Sequence, residues 1–190
     1  MLEPMVDATE PSAPSVRRLS RAEYDRMVEL GMFADERIEL LRGALVQMSP
    51  QKWPHATAVA WFNEELIRSL DRSYEVRPQL PFAADDYSEP EPDLAVAYKD
   101  YTRRDHPSAV LLLIEIADSS LRIDRGLKLE IYAAAGVPEY WIVDVATMAV
   151  TVHTEPRDGR YERIATLRDG DTLRPTLLPT VALAISAIPR

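Results

Sequence analysis

Three side chains in the middle of the chain have the types and spacing of a metal-assisted hydrolytic site. Asp93 follows Pro92 and opens an extended run to Tyr98. Glu115 lies near the end of the next apolar run, Val110 to Ile116, and Lys128 sits on a segment with helical spacing after it. Two carboxylates at one end of neighbouring strands repel each other unless a cation lies between them, and hard oxygen ligands suit Mg²⁺ or Mn²⁺. The backbone carbonyl of Ile116 offers a further oxygen. A nearby ammonium can orient an attacking water and offset charge developing on a phosphoryl group, the role expected of Lys128. Acid, acid, amine and metal suffice for phosphodiester hydrolysis, and for hydrolysis of a small phosphorylated compound.

Each residue also has a plainer reading. Asp93 after a proline could merely end a loop. Lys128 lies four residues after Asp124, the spacing of an ordinary helical ion pair. Glu115 is harder to explain that way, because an acid within Leu111-Leu112-Leu113-Ile114-Glu115-Ile116 is costly to bury without a cation or a hydrogen-bond partner. Glu39 is either a third acid near the metal or an outward-facing strand residue. His55 could contact a phosphate or the helix dipole. Trp61, Tyr140 and Trp141 read as core or interface aromatics rather than stacking platforms for bases.

The elements that would hold these residues follow from pattern. Ser20-Arg21-Ala22-Glu23 is a capping box that starts a helix over Arg21 to Leu30, stopped by Gly31. Arg37 to Met48 reads as a hairpin turning at Arg42-Gly43, with Glu39 in its first strand. Val59, Phe62, Leu66 and Leu70 follow helical spacing, which places His55 in that helix's first turn. Tyr74 to Phe82 and Pro92 to Tyr98 suggest strands joined by the loop Ala83 to Glu91. The aliphatic run ending at Glu115 suits a strand covered on both faces. A helix over Asp124 to Ala135, closed by Gly136, leads to another buried strand, Tyr140 to Val143, ending at Asp144. Turn signals at Asp158-Gly159 and Asp169-Gly170 mark antiparallel strands beyond.

Composition limits what such a site could belong to. The chain has 190 residues, 46% of them hydrophobic and 28% charged, which suits one core: a single domain over residues 19–190 after a proline-bearing flexible tail over 1–18. No apolar run approaches the roughly eighteen residues of a membrane span. With no cysteine there is neither thiol nucleophile nor thiolate metal site, and the reducing cytoplasm is the expected compartment. A net charge of −9 excludes a general DNA-coating role, though carboxylates that bind a cation contribute to that total. Any DNA grip must be local, and Lys52, Arg103, Arg104, Arg122 and Arg125 are its candidates.

Arg37 to Gly43, Ser49-Pro50 followed by His55, Glu91-Pro92-Asp93, Ile114 to Leu121, Asp124 to Lys128 and Ala135 to Asp144 together resemble the Uma family of restriction-endonuclease-like proteins, from about Leu19 onward. The resemblance implies an α/β fold with a PD-(D/E)xK core: a mixed sheet flanked by helices, with additional antiparallel strands on the C-terminal side. It also implies that Asp93 and Glu115 are the two motif acids and that Glu39 is the acid supplied ahead of the core strands. The superfamily's usual lysine lies two residues after the second acid, where this chain has Ala117, so Lys128 is the implied substitute. The expected function is a Mg²⁺- or Mn²⁺-dependent endonuclease acting on DNA. The competing expectation is a non-catalytic binding module, homodimeric through exposed parts of the Trp141 region.

Overall fold

Ser20 caps α1 (Arg21–Glu29) as the sequence predicts: its side chain accepts from the Glu23 amide while the Glu23 carboxylate accepts from the Ser20 backbone. The computed structural model describes residues 17–117 and 121–189. The tail expected over 1–18 therefore lies outside the described residues except for Arg17 and Arg18. Arg17 pairs with Glu23, and the Leu19 amide donates to the Gly43 carbonyl at 3.0 Å. Gly43 belongs to the turn between β1 (Ile38–Leu41) and β2 (Ala44–Gln47), where Arg42 and Gly43 have φ of 50° and 81°. That pair of left-handed residues is the turn a two-residue hairpin favours. A methyl on Gly43 would lie 2.5 Å from the Arg18 Cβ, so the position also admits the chain passing over it.

The main sheet has six strands in sequential order: β3 (Tyr74–Pro78), β4 (Leu94–Tyr98), β5 (Leu112–Ala117), β6 (Glu139–Asp144), β7 (Ala149–Arg157) and β8 (Arg160–Leu167). All neighbours are antiparallel except β5 and β6, which run parallel and are joined by the helical crossover. The strand expected to reach Phe82 ends at Pro78, because Gln79 takes a φ of 50° and leaves the sheet. Every residue of β5 is buried, as a strand covered on both faces must be.

Alternation along the strands divides the core in two. On one face Leu94, Leu112, Ile114 and Trp141 pack against Phe62 and Leu66 of α2 (Trp53–Ser69) and against the segment containing β9 (Thr172–Leu173) and β10 (Leu183–Ala184). On the other, Ala95, Leu113, Tyr140 and Ile142 pack against Ile131, Tyr132 and Ala133 of the crossover helix. Among the described residues no helix is long and apolar enough to cross a membrane.

The crossover departs from the straight helix expected over Asp124 to Ala135. It begins as a short α3 (Leu121–Ile123), widens into a π-turn over Asp124–Lys128, and resumes as α4 (Leu129–Ala134). The pattern over so short a segment does not mark a π-turn, which is a single extra residue in one turn. Lys128, the last residue of the π-turn, is buried.

Candidate active site

Asp93 immediately precedes β4, and the β4–β5 register pairs Leu94 with Ile114. One step further along, Asp93 stands across from Glu115, so strand pairing alone brings both acids to one end of neighbouring strands. Both belong to the alternation that faces the crossover helix. From there Lys128 enters, and Glu39 comes from β1, the hairpin lying over the same end. His55 approaches from the first turn of α2. The structure thus gathers Glu39, His55, Asp93, Glu115 and Lys128 around one cleft of about 130 Å³.

Each acid has its own donors. The Lys128 ammonium lies 3.0 Å from both Glu39 Oε2 and Glu115 Oε1. Glu115 Oε1 also accepts from the Tyr132 hydroxyl at 2.8 Å, and Glu39 Oε2 from the Glu91 amide at 3.1 Å. Asp93 Oδ2 accepts from the Ile116 amide at 2.8 Å and lies 3.0 Å from His55 Nε2, while Gln79 reaches Oδ1. Asp93 is thus a buried acceptor at the strand end, not a loop terminator. His55 Nε2 faces Asp93, and the buried Nδ1 has no hydrogen-bond partner among the described residues. The bare repulsion expected between Asp93 and Glu115 is therefore tempered by an ammonium, an imidazole and a main-chain amide.

Electrostatics still favour added positive charge. Burial, only partly offset by Lys128, holds the Glu115 carboxyl well above the usual carboxylate range, and Asp124, Asp93 and Glu39 push it the same way. Burial works against the Lys128 ammonium, but the charges of Glu115, Glu39 and Asp124 outweigh it and hold its pKa above the ordinary lysine value. Lys128 therefore remains a cation and a donor at any working pH.

Asp124 was read from sequence only as a helix start and an ion-pair partner, yet it is 1% exposed and lines the cleft with the others. Its signal was present: an acid four residues before the candidate lysine. Tyr132, Gln79 and Arg37 carried no comparable local signal. Of the five basic residues considered for a DNA grip, Lys52 lines the cleft. Arg37 joins it there and also pairs with Glu91 at 3.3 Å. Arg103 is engaged elsewhere, with Glu75, and Arg125 lies 4.0 Å from Asp144. Trp141 is 1% exposed and donates its indole N–H to Glu139, so its own side chain belongs to the core. Residues 118–120 of the Ile114–Leu121 motif lie outside the described residues.

Donor type and charge fit a hard divalent cation. Glu39, Asp93, Glu115 and Asp124 are all at least nine-tenths buried around one cleft, against a single buried ammonium. Burying that much negative charge is costly unless it is compensated. Among the described residues no three His, Asp or Glu side chains form a ready-made ligand set.

Comparison with known proteins decides the family. The model of the Uma2 family, described as "putative restriction endonuclease", matches residues 21–186. The chain belongs to the Uma2 family. A crystal structure described as "a putative nuclease belonging to DUF820", from Anabaena variabilis, superposes with a TM-score of 0.69 at 14% identity, covering 81% of this chain and 90% of that one. At that identity the likeness shows the fold, which is the restriction-endonuclease-like α/β architecture expected. No curated protein matches the chain.

Proposed function

We propose that this Uma2 protein is a divalent-metal-dependent endonuclease that hydrolyses phosphodiester bonds in DNA, working in the cytoplasm. The observation that carries this is Lys128: a permanently charged ammonium buried between Glu39 and Glu115, in the cleft that also holds Asp93. A lysine carried in from the crossover helix supplies what the inert Ala117 cannot, and family membership makes nuclease chemistry the prior for such a cluster.

Asp93 and Glu115, with the Ile116 carbonyl, would hold Mg²⁺ or Mn²⁺, and such an ion supplies Lewis-acid polarisation of the phosphoryl group. Asp93 is kept in place by the Ile116 amide and His55. Lys128, shared with Glu39, donates to a phosphoryl oxygen as negative charge grows there. Arg37 and Lys52 meet the flanking backbone at the cleft wall.

Incubation of purified protein with plasmid and Mn²⁺ or Mg²⁺ tests this. Nicking or linearisation that disappears in Asp93→Asn supports it. Binding without cutting favours the non-catalytic module, and turnover confined to small phosphate esters favours hydrolysis of a small phosphorylated compound.

A further inference from the structure

Glu115 takes two donors on the same oxygen. The Lys128 ammonium and the Tyr132 hydroxyl reach Oε1 at 3.0 and 2.8 Å. The two donors differ in freedom. Lys128 has a flexible stem and is shared with Glu39 at the same distance, whereas the Tyr132 ring is fully buried. It packs edge-on against Tyr140 with centroids 4.9 Å apart, and Phe82 lies on its other side at 6.2 Å. Such a ring has two torsions, both fixed by packing, so its hydroxyl is stationary relative to β5.

We propose that Tyr132 is the positioning residue for Glu115: its hydroxyl holds the carboxylate's orientation toward the cleft, so that Lys128 can leave Oε1 for a phosphoryl oxygen without setting Glu115 adrift. This rests on the metal-dependent reading above. The division of labour follows from what each donor must do. A group that stabilises transition-state charge has to exchange partners during the reaction, and a carboxylate tethered only by that group would lose its orientation at the moment it is needed. Glu39 has the same arrangement, with the Glu91 amide as fixed donor beside Lys128. Asp93 likewise has the Ile116 amide beside His55. In Glu115 the fixed donor is a side chain, which is why substitution can test it.

The π-turn serves this geometry. Asp124, Lys128 and Tyr132 follow one another at intervals of four, and all three are buried. In a continuous α-helix each such interval advances ~40° around the axis, so three residues would spiral through ~80°. One extra residue in the turn retards that advance, so that Lys128 and Tyr132 both reach Glu115 while Asp124 lines the same cleft.

Tyr132→Phe keeps the ring and removes only the hydroxyl. Mn²⁺ titration by calorimetry, in the full chain, should show affinity falling about 10- to 100-fold, the range for losing a group that orients a ligand. Tyr161→Phe, which removes another buried hydroxyl of the same aromatic cluster, bonded to the Val137 carbonyl, is the packing control and should bind like wild type. Unchanged affinity in Tyr132→Phe overturns the proposal, as does an equal loss in both variants. A wild-type protein that binds no Mn²⁺ sinks the metal-dependent function itself, and this inference with it.

Discussion

Replacing Lys128 by Met keeps the length and apolar stem of the side chain but leaves Glu39 and Glu115 without their shared cation. At an effective dielectric of about 20, charges at the 3.0 Å seen for each contact attract by ~5 kcal/mol. Desolvation cancels much of that, and removing one partner of a buried pair costs about 3–5 kcal/mol net. For a domain of this size that lowers the melting temperature by roughly 6–20 °C. The sign with pH can be worked out. The Glu115 pKa is raised in the folded protein, so its protonated form favours the fold at low pH and that contribution is lost as pH rises through the folded value. Without Lys128 the shift grows, so the deficit of Lys128→Met should be small near pH 4.5 and widen toward pH 8. A second consequence separates this residue from a ligand: freed of its ammonium, Glu115 should bind Mn²⁺ more tightly than in wild type at a pH where it is ionised, while cleavage is lost. Urea denaturation across pH and calorimetric Mn²⁺ titration measure both. A deficit below about 1 kcal/mol that ignores pH, or weaker Mn²⁺ binding, would refute the view of Lys128 as the buried counter-charge.

Glu89 is 3% exposed, and burial, reinforced by Asp25 and opposed by Arg21, pushes its carboxyl up to about 7. Its stabilising contribution is complete below the unfolded value near 4.5 and lost as pH climbs to 7, so Glu89→Gln should match wild type at pH 4.5 and exceed it above pH 7 by up to roughly 3 kcal/mol in urea titrations. Asp93→Asn keeps an oxygen for the Ile116 amide, so its melting temperature without metal should stay within a few degrees of wild type while the Mn²⁺-induced rise disappears. Asp93→Leu orphans that buried amide and should lose about 1–3 kcal/mol. Gly43→Ala meets both a φ of 81° and the Arg18 Cβ at 2.5 Å, and should cost ~1–3 kcal/mol by thermal melting.

Much of the site was legible because its causes are local. An acid inside an unbroken aliphatic run is expensive wherever the run folds, so Glu115 could be singled out before any partner was known. The capping box at Ser20, the turn at Arg42-Gly43 and the covered strand ending at Ala117 likewise depend on neighbours within a few residues. Two-residue alternation then fixes which face Asp93 and Glu115 share once their strands pair. What the sequence could not decide depends on contacts between distant segments. Whether Glu39 faces the site or the solvent is settled by the hairpin lying over the sheet end, and its chemistry by Lys128, 89 positions away. The π-turn, the burial of Asp124 and the hold of Tyr132 on Glu115 depend on packing between the crossover and the sheet, which the pattern along so short a segment does not encode. Residue types and spacing determined which groups could do chemistry; only tertiary packing decided which of them share one buried, charge-compensated cleft, since the energy of a buried charge is set by the partners brought within about 3 Å of it.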